Sequence, residues 1–165
     1  MMTLADVNAM PLPEFLAAFG DVAEHSPWVA REAASFRPFA TRGVMIAGFE
    51  TALRAANGQA QLALIRAHPD LASRAKLTAD STNEQAGAGL DTLSADEFAR
   101  FTAHNGAYKA KFGFPFIFAV KGASKHMVLE AFAVRVKNTP GMEFATALAQ
   151  ICRIFRFRIE DRVAP

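Results

Sequence analysis

Cysteine is nearly missing from this sequence. Cys152 stands alone, so no internal disulfide can form, no thiolate cluster can hold zinc, and a reducing compartment fits. Neither H-E-x-x-H nor His-x-His occurs, and no metal centre is expected. G-x-G-x-x-G, a Walker loop and a G-x-S-x-G elbow are absent as well, which leaves nucleotide cofactors and the commonest serine-hydrolase frame without support; the two glycines of AGAGLD have the wrong spacing. No apolar run is long enough to span a bilayer. The opening MMTLADVNAMPLPEFLAAFG lacks the basic start of a secretory signal, and EDRVAP reads as no organelle address, so a cytoplasmic protein with no membrane partner is expected.

An excess of one charge is also lacking: 18 Lys and Arg stand against 16 Asp and Glu, for a net charge of +2. The basic residues are scattered until Arg153, Arg156, Arg158 and Arg162, which a helix would turn in several directions. A phosphate-tracking surface needs its cations on one side, so no nucleic-acid partner is expected. Trp and Tyr occur once each against 15 Phe, which predicts a core filled with flat apolar rings and little room for a large cofactor.

What is present is helical periodicity. A chain of 165 residues suits one domain, 1–165. PLPEFLAAFGDVAEHS, a run from Thr41 to Asn57-Gly58 and a run from Gln59 to His68 all carry apolar residues at helical spacing. LSADEFARFTAHNGAYKAKFG opens with Ser94 and Glu97 as a capping box and closes on Gly113. GASKHMVLEAFAVRVKN and GMEFATALAQICRIFRFRIEDRV supply two more helices, divided by Thr139-Pro140-Gly141. FPFIFAV has the composition of a buried strand, but no second strand exists to pair with it, so an extended connector is expected. The fold class is all-α, an irregular single-domain bundle of six or more helices.

Two polar places interrupt this pattern. Proline disfavours helical conformation in the residue before it, so His68, followed by Pro69 and Asp70, sits where a helix must end and its imidazole can project past the last turn. That position suits acid/base chemistry and is equally a common way to stop a helix. The connector 72–89 is longer than most loops in a compact domain and carries Ser81, Glu84 and Gln85. Ser81 as N-cap with Glu84 three residues on makes a capping box; the same side chains beside free backbone N–H groups would read a small ligand crowded with carbonyls and ring nitrogens. A carboxylate beside an imidazole favours the imidazolium and fixes its tautomer, which would make His68 and Glu84 an acid/base pair. His25, His104 and His126 read as surface or satisfied core residues, and Cys152 as core.

HPDLA, then STNEQAGAGLD, then NGAYKAKFGFPFIFAVKG, resembles in order the family of 2-oxo-4-hydroxy-4-carboxy-5-ureidoimidazoline (OHCU) decarboxylases of urate degradation. The resemblance extends to EHSPWVAREAASFRPF upstream and RVKNTPGMEFATALAQICRIFRFRIEDRV downstream. It implies an all-α fold, commonly a homodimer, that converts OHCU to (S)-allantoin with loss of CO2 and without a cofactor. Carried over by motif, it implies His68 as general acid/base, Glu84 beside it in catalysis, and Pro69, Ser81 and Gln85 against the ligand. It further implies backbone contacts from Phe116, Ile117, Phe118, Ala119 and Val120, and Arg158 as the grip on a substrate carboxylate or carbonyl, with Arg156 as a lesser candidate. The carbon that loses CO2 adjoins a C=N bond that takes up the released electron pair, so such a substrate carries its own electron sink. Two other readings fit the residues: a different cofactor-free enzyme acting on a small ureide or imidazole, and a helical interaction module whose Phe-rich segments dock a partner helix.

Overall fold

The computed structural model describes residues 1–73 and 77–165. Among them it has nine helices: α1 (Leu4–Ala9), α2 (Leu12–Phe19), α3 (Trp28–Ala34), α4 (Arg42–Ala55), α5 (Gly58–Ala67), α6 (Ala79–Gly87), α7 (Ala95–Phe112), α8 (Lys125–Arg135) and α9 (Pro140–Glu160). The expected all-α class holds, and the one β feature among the described residues is an isolated parallel bridge between Met2 and Val163. No helix among the described residues is long and apolar enough to cross a membrane.

Helix ends follow local chemistry. Thr41 caps α4 by accepting from the Val44 N–H, and Ser94 and Glu97 form the expected capping box at α7. α7 stops at Gly113, whose φ of 76° lies in the left-handed region that glycine enters without a Cβ penalty. α5 ends at Ala67, directly before His68-Pro69, as the proline rule requires.

One expectation is corrected. Much of the connector 72–89 is helix α6, and its N-cap is Thr78, whose side chain accepts from the Ser81 N–H. Ser81 is therefore inside the first turn, and the expected capping box with Glu84 does not form. Thr78 offers the same kind of hydroxyl three residues earlier, and Asp80 in the first turn suits the positive end of the helix. Residues 74–76 of that connector lie outside the described residues.

The chain divides into two compact units, Met1–Ala67 with Ile151–Pro165 and His68–Gln150. In the first, the rings of Phe15, Phe19, Phe39 and Phe49 cluster at centroid distances of 5.0 to 6.4 Å, and Phe155 meets Phe49 edge-on at 6.1 Å. Asn8 fixes Phe39 by donating to its carbonyl and accepting from its N–H. Cys152 is buried in this unit, and burial raises its thiol pKa, so it is a core residue rather than a ready thiolate.

In the second unit Phe116 stacks on Phe132 at 3.8 Å, Phe101 meets Phe132 edge-on, and Tyr108 meets Phe116 at 5.2 Å. The Phe-rich composition is thus spent on two ring clusters, one in each unit. Each aromatic pair adds about 0.5–1.5 kcal/mol beyond its buried area. His104 stacks on Phe132 at 5.2 Å, while His25 and His126 are exposed, which matches the structural reading of all three.

At the start of α7, Glu97 pairs with Lys125 at 2.7 Å, and that hydrogen bond, with the Ser94 backbone N–H, lowers its pKa to about 2. A carboxylate held below its unfolded value of 4.5 contributes stability above that value and loses it as pH falls toward 2. Glu97→Gln is expected to melt below the wild type at pH 7, with the gap narrowing below pH 4.5 and closing near pH 2, as a pH series of thermal melts would read.

Candidate active site

The loop after His68 has no ladder to hold it, so its polar backbone groups need side-chain partners. Asn105 of α7 donates its Nδ2–H to the Leu71 carbonyl at 2.8 Å, and Gln85 of α6 accepts from the Ala72 N–H at 2.9 Å. Asp70 pairs with Lys109 of α7 at 2.8 Å, an exposed bridge worth little by itself. Ala72 is held at φ 57°, a conformation that needs such support. The expected ligand residues Gln85 and the His68-Pro69 segment are therefore tied into one substructure.

His68 is 8% exposed, so its imidazole is no solvated helix end. Ser81 and Gln85, one helical turn apart on α6, are both buried, and Glu84 between them is half-buried. Sequence spacing alone could not tell that α6 turns Ser81 and Gln85 to the same buried side.

The connector residues Phe116, Ile117, Ala119 and Val120 are buried, and Phe118 is half-buried. The rings of Phe116 and Phe118 lie parallel at 6.2 Å, the arrangement of alternate residues on one face of an extended backbone. The expected extended connector is what forms. It rests on α7 through Tyr108, and α7 also holds the Leu71 carbonyl through Asn105, so one helix backs both the His68 loop and the connector.

Behind the connector lies a polar cluster that sequence reading did not find. Glu143 of α9 is 0% exposed, and its carboxylate accepts from Tyr108, from Arg135 Nε at 2.8 Å and from Asn138 at 2.9 Å. Burial, and then the bond to Glu143, pushes the Tyr108 phenol well above its ordinary pKa, so it stays a donor. Arg135 also donates to the Ile117 carbonyl at 2.6 Å and stacks over the Phe116 ring at 4.2 Å.

Arg158 lies in the first unit. It is 3% exposed, and its guanidinium donates to Glu24 at 2.9 Å and to the Val22 carbonyl at 3.2 Å. The EHSP stretch that supplies Glu24 belonged to the resemblance, but no local signal marked Glu24 as the partner of Arg158. Arg153 and Arg156 are exposed, and Arg162 pairs with Asp21, so the C-terminal arginines do different jobs. No group of three or more His, Cys, Asp and Glu among the described residues is placed to hold a metal ion. A surface depression of about 300 Å³ beside the loop is lined by Asp70, Ala72, Ser73, Asn105 and Lys109 among others, and includes none of His68, Ser81, Glu84 or Gln85.

A family model for OHCU decarboxylase matches residues 8–160. The chain belongs to the OHCU decarboxylase family. It is 40% identical over 161 residues to a 2-oxo-4-hydroxy-4-carboxy-5-ureidoimidazoline decarboxylase of Haloferax volcanii, covering 98% of this chain and 96% of that protein. A uric acid degradation bifunctional protein of Bacillus subtilis is 37% identical over 98% of this chain, which spans 33% of that longer protein. Among solved structures, an (S)-allantoin synthase superposes with a TM-score of 0.81 at 31% identity, over 98% of this chain and 54% of that one. An OHCU decarboxylase crystallised in the presence of (S)-allantoin superposes with a TM-score of 0.71 at 26% identity, over 85% of this chain and 93% of that one.

Gln85→Leu would strand the Ala72 N–H in a buried place, at a cost of about 1–3 kcal/mol. Urea unfolding should show that loss, a smaller one for Gln85→Glu, which keeps an acceptor, and a change within about 0.5 kcal/mol for the exposed Thr82→Ala.

Proposed function

We propose that this chain, acting as one catalytic domain over residues 1–165, decarboxylates OHCU to (S)-allantoin in urate degradation, with His68 as the general acid/base. Membership of a carboxy-lyase family and the likeness to an (S)-allantoin synthase support the reaction. The observation that carries the role of His68 is its burial at the head of a loop held by Asn105 and Gln85, where an imidazole is positioned rather than merely solvated.

The chemistry fits this residue set. When the C–CO2 bond of OHCU breaks, its electron pair forms a double bond to the neighbouring ring carbon, and the C=N pair moves onto nitrogen, which takes a proton. The hydroxyl on the carbon that lost CO2 then gives up its proton and becomes a carbonyl. The neighbouring carbon gains a proton, and the face on which it arrives sets the hand of the product. The net change is loss of CO2 and uptake of one proton. His68 would carry protons between these atoms, and Glu84 would orient and tune it.

Gln85 already spends its Oε1 on the Ala72 N–H, so its amide NH2 is the part that would meet a ligand carbonyl. Ser81 would add a hydroxyl beside it, and Pro69 and the backbone of Phe116, Ile117, Phe118, Ala119 and Val120 would lie against the ring. Arg158, whose charge Glu24 already offsets, would supply directed N–H donors to a substrate carboxylate or carbonyl rather than a bare positive charge.

The test is circular dichroism of allantoin formed from OHCU, itself generated in situ from urate, for the wild type and His68→Gln. The wild type should build up optically active allantoin. The variant should be slower by roughly 100- to 10,000-fold, with its thermal transition retained. An optically inactive product from the wild type would refute the substrate assignment, and full activity in the variant would remove His68 from proton transfer.

A further inference from the structure

The connector at residues 114–120 has neither helix nor sheet to fix it, yet its backbone is held at two adjacent peptide groups by two side chains. Arg135 of α8 donates to the Ile117 carbonyl at 2.6 Å, and Gln150 of α9 accepts from the Ala119 N–H at 2.9 Å. Arg135 is itself locked by Glu143 and by the Phe116 ring.

A trans peptide is planar, with its C=O and N–H on opposite edges. Holding the Ile117 C=O therefore fixes the Phe118 N–H to the other edge, and holding the Ala119 N–H fixes the Phe118 C=O there too. In an extended backbone both polar groups of one residue share an edge, and the parallel rings of Phe116 and Phe118 mark this stretch as extended. Neither the Phe118 N–H nor its C=O has a partner among the described residues. On one edge the Ile117 C=O and the Ala119 N–H that flank Phe118 are thus held by side chains, and the other edge offers a donor beside an acceptor.

We propose that Arg135 and Gln150 are positioning residues that set the Phe118 peptide edge to read the adjacent C=O and N–H of a cyclic ureide ring. The proposal rests on the OHCU decarboxylase reading above and deepens it: it assigns the ring's amide edge to one residue's backbone and the aim of that backbone to two side chains. The chemistry selects an amide whose C=O and N–H lie on the same side, which a ring amide presents as in a base-pairing edge and the terminal carboxamide of an open ureido group presents as well. An open-chain trans amide presents them on opposite sides and cannot meet both groups of one residue.

Gln150 is the cleaner probe, because it is half-buried and neutral, whereas removing Arg135 would leave Glu143 buried without its cation. Steady-state kinetics on OHCU, followed by allantoin circular dichroism, would compare the wild type with Gln150→Leu, Gln150→Glu and Arg135→Lys, each first checked for a native far-ultraviolet spectrum and thermal transition. Gln150→Leu is expected to raise KM by about tenfold, the worth of one lost or misdirected hydrogen bond, with a smaller change in kcat. Gln150→Glu, whose carboxylate still accepts from the Ala119 N–H, should recover most of that loss. Arg135→Lys keeps the cation beside Glu143 but not the fork that also reaches Ile117, and should raise KM in the same direction.

An inactive wild type would overturn the decarboxylase reading and this proposal with it. An active wild type whose Gln150→Leu variant keeps its KM would overturn the positioning role alone. So would a folded Gln150→Glu variant no better than Gln150→Leu, because a residue needed only for packing gains nothing from a restored acceptor.

Discussion

The second unit depends on one buried negative charge. A carboxylate with no exposure, such as Glu143, costs several kcal/mol to desolvate unless donors and a cation replace its water. Here Tyr108 from α7, Arg135 from α8 and Asn138 from the turn before α9 supply them, so three separate pieces of chain converge on one side chain. Two of these donors, Tyr108 and Arg135, are also committed elsewhere. The ring of Tyr108 packs on Phe116, and Arg135 reaches the Ile117 carbonyl, so the demand of one carboxylate for solvation becomes the placement of the connector. Replacing such a group by apolar side chains is often neutral for stability, so its value here lies in the arrangement that its geometry enforces.

The His68 loop is governed by the same physics on a smaller scale. Proline ends α5, which releases the backbone from its helical ladder, and every released polar group that becomes buried must find another partner. Asn105 and Gln85 answer for Leu71 and Ala72. A helix stop becomes a fixed perch because two neighbouring helices carry amide side chains at the right places. Gln85 would have a double part in the proposed site, since the oxygen that holds the loop leaves its NH2 to meet a ligand.

The sequence made legible whatever is decided locally. The end of α5 at His68-Pro69, the capping box of Ser94 and Glu97, and the glycine stop at Gly113 all follow from residues within a turn of one another. α6 was harder, because Thr78 and Ser81 are both good N-caps and only packing chooses between them. α1 and α3 carry too few residues to show a period, and their helicity depends on tertiary contacts. At the candidate site, His68, Ser81, Glu84 and Gln85 stood out through motif resemblance. Their supports did not. Tyr108 finds Glu143 35 residues away, Gln150 finds Ala119 31 away and Glu24 finds Arg158 134 away, and no spacing rule links residues so far apart in one sequence.

The division of labour between substrate and protein explains why these supports matter. A substrate with its own electron sink needs no metal or organic cofactor to stabilise the carbanion, so what the protein can add is orientation and proton placement, effects that depend on fixed geometry. Helices are rigid, but their backbone polar groups are consumed internally and cannot read a ligand. Irregular backbone has free polar groups but costs entropy to order, roughly 1–2 kcal/mol per residue. Leu71, Ala72, Ile117 and Ala119 are loop or connector residues whose backbone is held by helix side chains. That cost is met once, on folding, and in the proposed site the backbone groups left over would already be directed when a ligand arrives.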